Sequence, residues 1–200
     1  MTLSARRERF SCCSATMGAL LSRLPLSANA WTTIGLAAGG AAAALLATGR
    51  LTGGGLVFAF SGLCDLADGA VARRRGSASR RGAYFDTLAD RFVEAAAVLG
   101  LLPLALPPLV VSARYWLFSY MFLSLMVTYA KAAAVEKKLS ANELRGGILE
   151  KPERCIILSL GLIAGGRDRR ALTWTLALLT TLAAVSLGQR IHRALVEERR

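Results

Sequence analysis

Four aspartates stand close together in an otherwise apolar chain. Asp65 and Asp68 are three residues apart, and Asp86 and Asp90 are four apart, within the stretch DLADGAVARRRGSASRRGAYFDTLAD. On helices, either spacing projects both carboxylates of a pair from one face. Long apolar segments flank the stretch, so the acids lie at or inside a membrane boundary. An ionisable residue at bilayer depth costs about 2.5–3.5 kcal/mol even on lenient insertion scales. Four of them require neutralisation, and two divalent cations would supply it. Metal pairs about 3.5–4 Å apart serve displacement at phosphorus by neutralising a diphosphate and orienting its oxygens. A carboxylate beside them can accept the proton of an attacking hydroxyl.

The residues around the acids suit the same chemistry. Gly69 and Gly82 have no side chain, which allows close approach of a nucleotide to the backbone or close packing of helices. Arg73 follows Gly69 by one turn, where a guanidinium can grip a phosphate through two hydrogen bonds. Gly76, Ser77 and Ser79 let the chain reverse between the two acidic pairs. Arg74, Arg75, Arg80 and Arg81 read more simply as topology determinants touching anionic lipid.

The elements that must position these residues are apolar. The chain has 200 residues, of which 54% are hydrophobic, and a mean hydropathy of +0.45. This length predicts one domain over residues 1–200, with residues 65–90 as its catalytic motif. Residues 1–28 begin with Arg6, Arg7 and Arg9 and continue with Met17, Leu20, Leu21 and Leu24 at helical spacing. They predict an amphipathic juxtamembrane helix. Apolar segments at 30–48, 52–70, 84–106, 112–135, 154–166 and 171–190 predict an all-α polytopic fold with six transmembrane helices. The fifth is short and contains glycine.

Charge sets the expected orientation. The net charge is +12, which suits an anionic membrane surface or nucleic acid; the apolar content favours the membrane, and no nucleic-acid motif is present. Six spans put both termini on one side together with the connections near 71–83 and 136–153. That side carries 18 Lys and Arg; the opposite side carries five, namely Arg50, Arg114, Arg167, Arg169 and Arg170. The bias places the termini and the acidic stretch in the cytoplasm. Cys12, Cys13, Cys64 and Cys155 form no CxxC pair and read as small helix-packing residues.

The stretch fits D-x2-D-G-x2-A-R-x8-G-x3-D-x3-D without a gap, through Asp65, Asp68, Gly69, Ala72, Arg73, Gly82, Asp86 and Asp90. This resembles the motif of the CDP-alcohol phosphatidyltransferase family. The resemblance implies that all four aspartates act on two divalent metals, Mg2+ or Mn2+, and that Asp90 is the general base. It also implies that Gly69, Ala72, Arg73 and Gly82 hold the CDP part of an activated lipid, either CDP-diacylglycerol or CDP-archaeol. Family members often carry P-N-x-x-T before the first span; here the Pro is replaced by Ala28, while Asn29 and Thr32 remain. These two either touch the nucleotide or cap a helix. A homodimer in the cell (inner) membrane is a further implication.

Residues 129–158 resemble the KARAE…ERPER region of the phosphatidylinositol-phosphate synthases and of their archaeal counterparts. Lys131, Lys151 and Arg154 stand at matching positions, whereas Ala133 stands where that pattern has Arg. The resemblance implies a phosphorylated polyol such as inositol phosphate as acceptor, with Lys131 and Arg154 on its phosphate. Glycerol 3-phosphate is the next candidate, and serine the third. Glu94, one turn after Asp90, either supports the metal site or simply faces the bundle interior. Intramembrane carboxylates also suit a divalent-cation transporter, but a cation pathway does not need Arg73 beside its ligands.

Overall fold

The structure, a computed structural model, describes residues 26–139 and 149–197. The expected amphipathic segment falls, up to residue 25, outside the described residues. Among the described residues six helices follow one another: α1 (Ala28–Ala47), α2 (Leu51–Arg74), α3 (Arg80–Leu101), α4 (Ala113–Glu136), α5 (Lys151–Gly165) and α6 (Arg169–Glu197). Among the described residues there is no named strand, only an isolated bridge between Leu109 and Val111.

Local chemistry sets the helix ends. The Ser27 hydroxyl accepts from the Ala30 N–H at 3.1 Å and starts α1, and Ser79 does the same for Gly82 at 3.0 Å to start α3, satisfying donors that a helix leaves open. Between α2 and α3 the chain passes through Gly76 at φ +62°, a left-handed conformation that glycine adopts without strain. Pro152 lies in the first turn of α5, where its missing N–H costs nothing. The third apolar segment was expected to run to residue 106, but α3 stops at Leu101. Pro103, Pro107 and Pro108 disfavour helix in this connection.

Four helices, α1, α2, α4 and α6, are long and apolar enough to cross a membrane. The other two differ for physical reasons. The 22 residues of α3 include Arg80, Arg81, Asp86, Asp90, Arg91 and Glu94. The 15 residues of α5 give about 22 Å at 1.5 Å each, short of a hydrocarbon core of about 30 Å. Large apolar side chains such as Leu56, Phe60, Phe118, Phe122 and Trp174 face outward, as the surface of an all-helical membrane protein requires.

Inside the bundle, α1 packs on both α2 and α3, α5 on α2 and α6, and α4 on α6. The acid-bearing helices α2 and α3 touch each other little. They are held side by side through α1, which leaves a gap between them. The apolar core draws residues from all six helices or their immediate flanks, among them Leu46, Phe58, Leu101, Leu117, Leu162 and Leu176. On α2 it includes Leu51 and Phe58 but nothing beyond them, so the acids stand at one end of the bundle and the apolar core lies toward the other.

Lipid tails are as apolar as leucine, so close packing rather than water exclusion holds such helices together. Glycine provides the closest approach. A Cβ on Gly100 would sit 2.5 Å from the Ala43 carbonyl oxygen, at the contact of α3 with α1. A Cβ on Gly40 would meet nothing within 4 Å. Gly100→Val is therefore expected to destabilise the bundle by about 1–3 kcal/mol through overpacking, while Gly40→Ala leaves stability unchanged or slightly raised; thermal unfolding of both variants in detergent checks the contrast.

Candidate active site

The gap between α2 and α3 is a cleft lined by Thr32 from α1, Asp65 and Asp68 from α2, Asp86, Asp90, Arg91 and Glu94 from α3, and Lys151 from α5. Asp65 and Asp68 point from one face of α2, and Asp86 and Asp90 from one face of α3. Carboxylate oxygens of Asp65, Asp68 and Asp86 lie within 4.8 Å of one another. Asp90 joins the group through a cation: the Lys151 ammonium forms ion pairs with both Asp65 and Asp90. Lys151 sits at the first turn of α5, so the start of that helix closes the cleft from the side opposite α1.

Of the residues left from the P-N-x-x-T element, Thr32 faces the acids. The Thr32 hydroxyl donates to Asp68 Oδ2 at 2.6 Å, and both residues are buried. Ser27, not Asn29, caps α1. Asn29 Oδ1 lies 3.5 Å from where a Cβ on Gly82 would stand. The two motif glycines do not abut another helix's backbone. A Cβ on Gly69 would meet the Arg73 guanidinium first, nearest at 3.2 Å, and one on Gly82 would meet Ser79 and Asn29 side chains. Arg73 is exposed and Ala72 half-buried at the end of α2. Asn29, Gly69, Ala72, Arg73 and Gly82 are not among the residues that line the cleft; Gly69 follows Asp68 in the chain and borders the Arg73 guanidinium.

Behind Asp90 lies a buried polar group of unusual density. Glu94 is only 6% exposed. Its Oε1 accepts from the Tyr120 hydroxyl at 2.5 Å and from Ser124 at 2.8 Å. Its Oε2 pairs with Arg91 Nη1 at 2.6 Å. Arg154, 4% exposed, approaches the same carboxylate through Nε at 3.3 Å and Nη2 at 3.5 Å. One carboxylate thus ties α3, α4 and α5 together.

A second buried guanidinium stands nearby. Arg190 on α6 is 8% exposed, donates from Nη1 to the Val127 carbonyl at 3.0 Å, and has Arg154, Arg193 and Glu150 within electrostatic reach. Among the described residues the buried Nε atoms of Arg154 and Arg190 make no hydrogen bond, although that of Arg154 stands 3.3 Å from Glu94 Oε1 within the ion pair. Buried donors of this kind are costly unless an acceptor arrives.

The sequence model of the CDP-alcohol phosphatidyltransferases matches residues 25–187. The chain belongs to the CDP-alcohol phosphatidyltransferase family. The phosphatidylinositol phosphate synthase of Mycobacteroides abscessus is 33% identical over 196 residues, covering 93% of this chain and 85% of that protein. The archaetidylinositol phosphate synthase of Methanothermobacter thermautotrophicus is 33% identical over 143 residues, 72% of this chain and 69% of that protein. The crystal structure of the Mycobacterium tuberculosis phosphatidylinositol phosphate synthase with manganese and citrate aligns with a TM-score of 0.77 at 29% identity, over 91% of this chain and 88% of that one. The same synthase with CDP-DAG bound aligns with a TM-score of 0.74 at 28% identity, over 90% and 92%. A CDP-alcohol phosphatidyltransferase is an enzyme, and the cation-transporter reading falls away.

Within this phosphatidyltransferase the structure gathers Asp65, Asp68, Asp86, Asp90 and Thr32 at one cleft. Arg154 stands one residue behind the cleft wall, against Glu94. Lys131 is half-buried on α4, outside the described lining of the cleft. Sequence reasoning gave no site role to Arg91, Tyr120, Ser124 or Arg190. Tyr120 and Ser124 sit in an apolar segment with nothing local to mark them. From the sequence Arg190 counts only toward topology, although a cation seven residues before the described end of α6 would be expected in water rather than 8% exposed. The density of bonds on Glu94 yields a stability prediction. Tyr120→Phe removes a donor to a buried carboxylate and is expected to lower stability by about 1.5–3 kcal/mol, seen as a lower unfolding temperature in detergent.

Proposed function

We propose that this enzyme transfers a phosphatidyl-type group from a CDP-activated lipid to a phosphorylated polyol, inositol phosphate in particular, with release of CMP. The observation that carries the acceptor assignment is the buried pair Arg154 and Arg190, whose Nε atoms make no hydrogen bond among the described residues although Arg154 is ion-paired to Glu94. Two guanidiniums withdrawn from water beside an acidic cleft suit a dianionic phosphate. The relatives named phosphatidylinositol phosphate synthase and archaetidylinositol phosphate synthase agree with this choice. Glycerol 3-phosphate would satisfy the same cations, whereas serine carries no phosphate to do so.

The donor set fits divalent cations. Asp65, Asp68 and Asp86 bring hard carboxylate oxygens within 4.8 Å of one another, the ligand type that Mg2+ and Mn2+ prefer, and a relative was crystallised with manganese. Asp65, Asp68, Asp86 and Asp90 would hold two such ions. When bound, the ions supply charge neutralisation and alignment of the diphosphate oxygens.

The chain's own residues do the rest. Gly69, Ala72, Arg73 and Gly82, with Asn29 and Thr32, hold the cytidine diphosphate. Thr32 keeps Asp68 in one orientation by its hydrogen bond. Lys131 and Arg154 hold the acceptor's phosphate. The acceptor hydroxyl oxygen attacks the phosphorus that bears the lipid, and Asp90 takes its proton. The bond from that phosphorus to the CMP oxygen breaks, and CMP leaves with the bonding electrons. The product is a phosphodiester lipid.

The same reading extends to the chain as a whole. Residues 1–200 act as one domain, with residues 65–90 as its catalytic motif. Six helices cross the cell (inner) membrane, α3 and the short α5 included, with both termini and the acidic cleft on the cytoplasmic side, and the enzyme works as a homodimer. The turns near Gly49, Leu104 and Arg169 lie close together, as alternating crossings require. The lipid is diacylglycerol- or archaeol-based.

Three measurements test the chemistry. In an acceptor panel of inositol phosphate, glycerol 3-phosphate, inositol and serine, CMP release is expected with the first; rates that do not depend on a phosphate on the acceptor would overturn the assignment. Exhaustive chelation and Asp90→Asn are each expected to reduce CMP release by ~100-fold or more, with CDP-lipid binding by Asp90→Asn retained when Mn2+ is supplied. Lys131→Ala and Arg154→Ala are expected to raise the acceptor KM at least about tenfold, equivalent to ~1.4 kcal/mol, while the KM for the CDP-lipid stays constant.

A further inference from the structure

Glu94 is a carboxylate placed where an anionic acceptor would be repelled, yet it lies between the acid cleft and the buried guanidiniums of Arg154 and Arg190. Its surroundings remove the contradiction. Arg91, Tyr120, Ser124 and Arg154 all approach it, so its charge is spent inside the protein. Arg154 approaches with its Nε and Nη2 atoms, one edge of the guanidinium.

The positions along the helices add a second reason. Glu94 lies one turn beyond Asp90 on α3, and Arg154 one turn beyond Lys151 on α5. Asp90 meets Lys151, and Glu94 meets Arg154. The two contacts are successive rungs between the same two helices, and the second rung fixes both the height of α5 against α3 and the plane of the Arg154 guanidinium. Tyr120 and Ser124 hold Glu94 from α4, so the carboxylate cannot swing with Arg154.

We propose that Glu94 is a positioning residue for the acceptor: it grips one edge of Arg154 and thereby presents the guanidinium, together with Arg190, to the acceptor's phosphate. This rests on the phosphorylated-acceptor reading given above. Glu94 touches neither the reacting phosphorus nor the proton that Asp90 takes. Its loss therefore acts on binding of one substrate and not on chemistry.

The test uses the full-length enzyme in detergent, with CDP-diacylglycerol as donor and inositol phosphate as acceptor. Glu94→Gln keeps the size of the side chain and an acceptor for Tyr120 and Ser124 but loses the charge. It is expected to raise the acceptor KM by about tenfold or more, the usual effect of losing a residue that orients a ligand-binding group. The donor KM is expected to stay constant, and kcat at saturating acceptor to change less than about threefold. The double variant Glu94→Gln, Arg154→Ala is expected to show no higher acceptor KM than Arg154→Ala alone, since the first residue acts through the second. Equal rises in both KM values, a loss confined to kcat, or full additivity with Arg154→Ala overturns the proposal. If Glu94→Gln does not fold, Glu94→Asp, which keeps the charge but shortens the reach, must show the same acceptor-selective rise, and an unchanged acceptor KM in a folded Glu94→Asp overturns the proposal. Wild-type turnover that ignores the acceptor's phosphate, or an Arg154→Ala variant with unchanged acceptor KM, overturns the phosphorylated-acceptor reading and this inference with it. A raised KM in Arg154→Ala without one in Glu94→Gln overturns this inference alone.

Discussion

Like charges held close together in a medium of low dielectric constant constrain everything else in this molecule. Asp65, Asp68 and Asp86 bring oxygens within 4.8 Å of one another at one end of an apolar bundle. Such an arrangement persists only if other groups supply compensating charge and hydrogen bonds. The Lys151 ammonium bridges Asp65 to Asp90, and the Thr32 hydroxyl serves Asp68. The apolar core keeps to the far side of Phe58 on α2. The helix arrangement follows from the same need: α1 spaces α2 from α3, and the gap that results is where a diphosphate would fit.

The bundle handles its cations in the same way. Glu94 draws Arg91, Arg154, Tyr120 and Ser124 onto one carboxylate, and Arg190 is buried on α6. Buried ion pairs add little net stability, because desolvation offsets most of the attraction. Their value here is geometric. Acid cleft and cationic group share α3 and α5 as walls, so a donor held by the acids and an acceptor held by the guanidiniums would meet across one helical turn.

Much of this was legible in the chain. The eight-position motif ties the aspartates to one site because its spacings, three, four and one loop, bring carboxylates onto facing surfaces of consecutive helices. The apolar segments gave four of the six helices within about four residues of their observed bounds, and the sixth, expected to end at residue 190, runs on to Glu197. The third was drawn too long because Leu104 and Leu106 continue its apolar pattern, while Pro103 and Pro107 end the helix. Apolar content alone also counted six crossings, whereas four helices have the length and composition for one. The charges of α3 and the brevity of α5 are visible in the sequence; what they gain from neighbours is not.

By itself the sequence determined the all-helical membrane architecture, the family and the acidic quartet, because each depends on local periodicity or fixed spacing. Tertiary structure decided which partners the acids and the cations find. Lys151 meets Asp65 across 86 residues, Arg154 meets Glu94 across 60 and Thr32 meets Asp68 across 36. Contacts between residues so far apart in sequence depend on how α1 and α5 pack against α2 and α3. No local pattern marks Tyr120, Ser124 or Arg190, and only packing shows that their polar atoms are buried around the place where substrate phosphates would meet.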